Sequence, residues 1–318
     1  MAKSITAGID TSKAKLDVAI HGQKQVKTLS NDAAGWSAVV AYLADHEVGR
    51  VGIEATGGYE LGVVRHLESV GFQVLRLQPL QVKAFAQMHL QRAKTDRIDA
   101  QLIAACTHLF EGRKPRLASD ARIDPLAEHL TFIEQIDDDL VRFKTRLEHI
   151  HDPARRRLVQ TDIRRAERRL ATHLKQLEAE VRVHADLAGR LDLVESIPGI
   201  GMRTALSIII RLPELGKITR EEIASLAGLA PFVRQSGKRK GEAHIGGGRA
   251  RLRTALYAAA LPASCFWNPA LVKLRNRMKA NGKGHRAIMV ACARKLIIYA
   301  NTVAERGTPW TPRTATVL

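Results

Sequence analysis

Apolar residues at every second position open the chain: Ile5, Ala7 and Ile9, then Leu16, Val18 and Ile20. That period of two predicts two short strands around a turn. QVKTLS (25–30) reads as a third strand. The spacing then changes: Trp36, Val39, Val40 and Leu43 recur at three and four positions, one face of a helix. RVGIEA (50–55) is a short buried strand that brings the chain to Glu54. GYELGVVRHLESVG is helical, QVLRLQ is a strand, PLQVKAFAQM is helical, and KTDRIDAQLIAACTHLF opens another helix. Three antiparallel strands followed by alternating helices and strands predict a mixed α/β sheet over residues 1–118.

The middle of the chain has a different rhythm. From residue 126 the apolar positions are 126, 130, 133, 136, 140, 143, 147 and 150, a heptad seam with one three-residue stammer. HDP at 151–153 breaks it, and Val159, Ile163, Ala166, Leu170, Leu174, Leu177 and Val181 form a second stripe. Residues 119–188 therefore predict a coiled-coil helical hairpin, or a coiled coil between chains. In 189–318 the pattern is mostly helical. VESIPGIGMRTALSIIIRL has the form of a helix-hairpin-helix, with Pro198, Gly199 and Gly201 in the turn and a helix starting near Arg203. Thr219 and Glu222 form a capping box. Gly246, Gly247 and Gly248 lead into a helix near Arg249, and the last segment is two helices joined by a Gly-rich basic turn.

Charge narrows the partners. The 318 residues carry 50 Lys and Arg against 32 Asp and Glu, a net charge of +18, and the excess calls for a polyanion. Nucleic acid fits better than a membrane surface, because the cations are spread over several segments. No apolar run reaches the roughly 18 residues of a membrane span, and MAKSITAGID lacks a signal-peptide pattern. Cys106, Cys265 and Cys292 are odd in number and without a CxxC pair, which predicts reduced thiols and a cytoplasmic protein. Aromatics are only 4%, so base stacking is not expected as the main binding mode. A Walker phosphate loop is absent from the sequence.

The candidate basic contacts are Arg155, Arg156, Arg157, Arg164, Arg165, Arg168 and Arg169 on the hairpin; Gly199, Gly201 and Arg203 at the turn; and Arg234, Lys238, Arg239, Lys240, Arg249, Arg251 and Arg253 further on. A solvated helix surface is the alternative for the hairpin arginines, and an ordinary Gly-rich turn for Gly199 and Gly201.

Four acids stand out by position. Asp10 ends the first strand, Glu54 ends the fourth, and Asp96 and Asp99 lie three apart at a helix start, on one side. Carboxylates gathered at buried strand ends are costly unless a cation neutralises them. Mg²⁺ accepts a few carboxylates together with water and phosphate. Taken singly, Asp10 fits a turn, Glu54 a cap and Asp96 a helix N-terminus; Glu60 reads as a first-turn helix acid. Ser236, in RQSGKRKG, is a hydroxyl among cations, either a nucleophile or a donor in a loop that grips phosphate.

GIDTSK, GIEATGGYE and KTDRIDA resemble the DEDD transposases of bacterial insertion sequences, on the RuvC-like branch of the ribonuclease H fold. SGKRKG, HIGGGRARLRTALY and NGKGHRAIMVACARKL extend the resemblance, in order and spacing, to the bridge-RNA-guided recombinases of insertion sequence group one-ten. It runs from Gly8 to about Asn301; the LVKLRNRM helix lacks the aromatic expected there. The resemblance implies a RuvC-like domain, a coiled-coil hairpin and a serine transposase domain. It implies Mg²⁺, with Mn²⁺ as a substitute, held by Asp10, Glu54, Asp96 and Asp99, and Ser236 as the nucleophile of a covalent phosphoserine–DNA intermediate. It also implies donor and target DNA, a guiding bridge RNA, and a homo-tetramer built as a dimer of dimers, with the acids of one subunit facing the serine of another. Two other readings stand beside it: a RuvC-like nuclease or junction resolvase that cuts by water, and a non-catalytic nucleic-acid-binding protein.

Overall fold

A computed structural model describes residues 5–55, 57–89, 96–110, 120–236 and 239–311. The chain divides into two compact units, Met1–Ala118 and Ser119–Leu318.

In the first unit the alternating segments become β1 (Ile5–Thr11), β2 (Lys15–Ile20) and β3 (Val26–Ser30). Then follow α1 (Ala33–Asp45), β4 (Val48–Glu54), α2 (Leu61–Ser69), β5 (Gln73–Leu77), α3 (Pro79–Met88) and α4 (Asp96–Leu109). The sheet runs β3-β2-β1-β4-β5, antiparallel across β3-β2-β1 and parallel across β1-β4-β5. Local chemistry sets the helix starts. Asp32 accepts the Gly35 N–H at 2.8 Å ahead of α1, and Pro79 occupies the first turn of α3, where a missing N–H costs nothing.

β1 is covered on both faces. Ala7 and Ile9 pack with Leu16, Val18, Val39, Leu43, Val51, Ile53 and Leu67 on the side of α1 and α2. On the other side α4 presses directly on the strands. A Cβ on Gly8 would lie 2.2 Å from the Ala104 amide nitrogen and 2.4 Å from the Ala100 carbonyl oxygen. A Cβ on Gly52, the register partner of Gly8, would meet Thr107 Oγ1 at 1.7 Å. Two glycines side by side on neighbouring strands thus let a helix lie against the sheet.

The second unit begins with α5 (Ile123–Glu148) and α6 (Pro153–Arg182), an intramolecular hairpin. Asp152 caps α6 by accepting the Arg155 N–H at 2.9 Å. The seam residues divide between two cores. Leu126, Leu130, Ile133, Leu177 and Val181 belong to the large core of the unit; Ile136, Leu140, Ile163 and Ala166 form a separate distal cluster. Next come α7 (Ala185–Glu195), α8 (Met202–Arg211), α9 (Arg220–Leu226), β6 (Pro231–Ser236), β7 (Arg239–Ile245), α10 (Ala250–Pro262), α11 (Pro269–Ala280) and α12 (His285–Arg306). A π-helical turn, Ala263–Trp267, links α10 to α11. The expected capping box is formed: Glu222 accepts the Thr219 N–H at 2.9 Å, and Thr219 Oγ1 accepts the Glu222 N–H.

Two expectations need correction. The stretch around Ser236 is a two-stranded β-hairpin, with Ser236 paired to Arg239 and a register shift between Val233 and Gln235. And α12 is long and apolar enough to pass for a membrane span. Half of its apolar stretch is buried within the unit: Met289, Cys292, Ala293, Leu296, Ile297 and Ala300 lie in the main core.

Candidate functional site

Asp10 and Glu54 come together through strand register. Ile9 pairs with Ile53 on parallel strands, so the next residues, Asp10 and Glu54, stand side by side at the C-terminal edge. Each lies two residues beyond a glycine that touches α4, so by the two-residue period both are on the α4 face. Asp99 and Ala100 are neighbours on α4, and the Ala100 carbonyl approaches Gly8; the first turn of α4 thus lies by the same strand end. Asp96 begins that helix. Among the described residues no three His, Cys, Asp or Glu side chains are grouped closely enough to hold a metal ion. Carboxylate oxygens are nonetheless the donors Mg²⁺ prefers, and the ion commonly takes only one or two of them beside water and phosphate. The Asp10–Glu54 pair fits that demand.

The sequence pattern did not single out a further acid in this row. Asp17 pairs directly with Asp10 across β1 and β2 and is 4% exposed. Its carboxylate accepts the Thr28 hydroxyl at 2.5 Å and lies 3.3 Å from Lys15 Nζ. The signal was an acid in an apolar alternating strand, at a position that the hairpin register brings opposite Asp10. Glu60 is as expected a helix-start acid, and it is buried. Burial alone would raise its pKa, but the N–H groups of Glu60 and Gly58 and the Arg76 guanidinium at 2.9 Å outweigh this and hold it below the usual carboxylate range.

Ser236 ends β6 at the tip of its hairpin. Lys238 lies outside the described residues; for Asp96, Arg234, Ser236, Arg239 and Lys240 the description extends to the backbone. His244 pairs with Phe232, four ladder positions from Ser236, or about 13 Å along the strand. At the foot of the hairpin a groove of about 860 Å³ is lined by Pro231, Ile245, Tyr257, Arg286, Val290 and Arg294. Arg286 and Arg294 were not singled out from the sequence; they follow the NGKG turn on one face of α12.

The other candidate cations divide into two groups. Arg155, Arg157, Arg164, Arg165, Arg168 and Arg169 are exposed along α6. Arg156 instead donates to the carbonyls of Leu147 (2.9 Å) and Ile150 (2.7 Å), which fastens the end of α5 to the start of α6. The arginines near the glycine turns all have protein partners. Arg203 makes a two-pronged pair with Asp137 of α5 at 3.2 and 2.8 Å. Arg251 meets Glu134 at 3.2 Å, Arg249 grips Glu214 at 3.0 and 2.7 Å, and Arg253 donates to the Gly247 carbonyl at 2.7 Å. Gly199 has φ +100°, and a Cβ there would lie 2.2 Å from Ala263 Cβ, so this glycine serves a turn pressed on the end of α10. Gly201 caps α8 and is exposed.

Residues 7–152 match the IS110-type DEDD family described as "Transposase", and residues 191–276 match the "Transposase IS116/IS110/IS902 family". The chain is 28% identical over 315 residues to the pilin gene-inverting protein of Moraxella bovis, covering 96% of this chain and 97% of that protein. The protein of the same name in Moraxella lacunata gives the same identity and coverage. An "Insertion element IS110 uncharacterized 43.6 kDa protein" of Streptomyces coelicolor is 29% identical over 136 residues, 42% of this chain and 33% of that one. With both halves of the family pattern matched in order, and an inverting protein aligned end to end, the chain belongs to the IS110 family of transposases and is a DNA transposase/recombinase.

Proposed function

We propose that the chain cuts and rejoins DNA strands through Ser236, assisted by Mg²⁺ at the Asp10–Glu54 edge of a RuvC-like fold. The observation that carries the reading is that pair: two carboxylates in register at the ends of adjacent parallel strands, on the face covered by the helix that bears Asp96 and Asp99. The strand order β3-β2-β1-β4-β5 supports the RuvC-like assignment. Asp10, Glu54, Asp96 and Asp99 would hold the ion, which supplies positive charge for the phosphate and eases loss of the serine proton. The proton leaves Ser236 Oγ, its electron pair forms an Oγ–P bond, and one backbone P–O bond breaks to free a hydroxyl end. The phosphodiester bond energy stays in the protein–DNA link, so a hydroxyl of another strand can reverse the attack and join to it. Cations of the hairpin segment, Arg234, Lys238, Arg239 and Lys240, suit the charge that grows on the phosphate oxygens. His244 is too far down the ladder to be the base for Ser236 if the hairpin keeps its register.

Similarity to proteins named for pilin gene inversion supports rearrangement of DNA at defined sites. The sequence resemblance extends the proposal to a bridge RNA that chooses donor and target and to a tetramer with active sites completed between subunits. The test is incubation of the full chain with element-end DNA, the RNA encoded beside the gene and Mg²⁺, followed by denaturing electrophoresis. A covalent protein–DNA adduct is expected, absent in Ser236→Ala and in Asp10→Ala. Full cleavage by Ser236→Ala with no adduct in the unaltered protein would establish hydrolysis by water instead.

A further inference from the structure

We infer that a second cleft, between the start of α11 and the end of α12, binds an unstacked nucleobase together with its flanking phosphates. The proposal rests on the chain acting on nucleic acid, and it adds a place where a strand is held. The cleft has a volume of about 490 Å³ and shares no lining residue with the groove at the foot of the serine hairpin. Its aromatic wall is Tyr299 and Trp310, with ring centroids 4.3 Å apart and planes tilted by 48°. Trp310 is anchored from behind: its backbone N–H donates to Ser196 Oγ at 2.8 Å, and its ring packs on the main core. An aromatic surface held in this way loses little freedom when a base stacks on it.

The rim supplies charge of one sign. Lys273, Lys295 and Arg306 line the cleft, all are exposed, and none forms an ion pair among the described residues. No carboxylate is among its described lining residues. The start of α11 lines the cleft too, through Asn268, Pro269 and Ala270; Asn268 already accepts the Leu271 N–H, so the helix contributes the positive end of its dipole. The contrast with Arg203, Arg249, Arg251 and Arg253 is direct: those four are engaged with protein oxygens, whereas these three cations are free to meet phosphate. Stacking surface and cations within one cleft are the combination that grips single strands; a double helix keeps its base faces stacked on one another and offers none to the aromatic wall.

The test uses the full chain with single strands of about 12 nucleotides, long enough to fill one such site, in DNA and RNA versions that carry 2-aminopurine, and a duplex of equal length. Stacking should quench the 2-aminopurine emission, and Trp310→Leu should abolish the quench. Because Trp310 is partly buried, a second variant carries the argument independently of folding: Lys273→Ala/Lys295→Ala/Arg306→Ala should weaken single-strand binding about ten-fold and leave duplex binding within about two-fold. Quenching by only one of the two strands identifies DNA or RNA as the occupant. No quench with either strand, or unchanged quench and affinity in both variants, overturns the site while duplex binding persists. An unaltered protein that binds neither single strand nor duplex overturns this site and the proposed function together.

Discussion

Gly8→Ala tests how the acidic edge is built. The added Cβ would lie 2.2 Å from the Ala104 nitrogen and 2.4 Å from the Ala100 oxygen, against 3.4 Å for ordinary contact. Both obstacles are backbone, so α4 must retreat from β1 by about 1 Å, which places the cost at the upper end of overpacking, about 3 kcal/mol. For a unit of this size that is a fall of roughly 12 °C in melting temperature. The same retreat carries Asp99 from the strand end that bears Asp10, and a misplacement of about 1 Å costs around 100-fold in rate. Gly52→Ala is the informative partner, because its obstacle is a side chain, Thr107 Oγ1 at 1.7 Å. Adding Thr107→Ala removes that atom and should restore most of the stability; no side-chain deletion can rescue Gly8→Ala in this way. Thermal melts by circular dichroism and strand cleavage rates measure both effects. A Gly8→Ala protein that melts within about 2 °C of the unaltered one and cleaves at full rate would refute the packing argument. So would a Gly52→Ala defect that Thr107→Ala leaves untouched.

Three other perturbations read separate parts of the chain. Glu60→Gln should cost about 2 kcal/mol at neutral pH by leaving Arg76 and the Gly58 N–H facing a weaker acceptor. The Glu60 pKa is depressed by folding, so its stabilising effect is full above the ordinary value of 4.5 and is lost as pH falls below it. Urea midpoints of variant and parent should therefore converge in acid, and a constant gap would contradict the assignment. Iodoacetamide at pH 8 should label the half-buried Cys265 first. Cys106, buried against α3 and pushed up to about 11, and Cys292, likewise raised by burial, should react only on unfolding; early labelling of Cys106 would show that α4 does not pack as described. Reversal of Arg157, Arg164, Arg165, Arg168 and Arg169 to Glu should weaken nucleic-acid binding. The slope of log affinity against log salt should become shallower by about one for every phosphate these arginines neutralise. An unchanged slope would make that face of α6 a solvated surface.

Periodicity carried most of the element order, because each strand and helix has a buried face that repeats. The heptad positions from Leu126 to Leu140 are the buried ones, and Thr219 and Glu222 cap as their spacing predicts. What the pattern left out depended on packing between distant segments. The second covered face of β1 comes from a helix ninety residues later, and only Gly8 and Gly52 hinted at it. The Ser236 hairpin was missed because RQSGKRKG lacks the alternation of a strand, and backbone ladder pairing leaves no such trace in the sequence. The basic residues were the least legible. Composition counts charges, yet Arg156, Arg203 and Arg249 are committed to protein oxygens that lie near them only after folding.

The three arginine clasps on α5 also have a mechanical consequence. Arg211 and Arg251 both reach Glu134, and Arg203 reaches Asp137, so α8 and α10 hold α5 near the place where the seam leaves the main core. Beyond that mount the hairpin continues on its own small cluster, and α5 runs on from Asp137 to Glu148, about 17 Å. The hairpin is then a lever with a charged bearing. One degree of rotation at the bearing displaces a point about 17 Å away by about 0.3 Å. Exchange of carboxylate partners among the neighbouring acids Asp137, Asp138 and Asp139 that turned the hairpin by about ten degrees would therefore re-aim the basic face of α6 by about 3 Å at its far end.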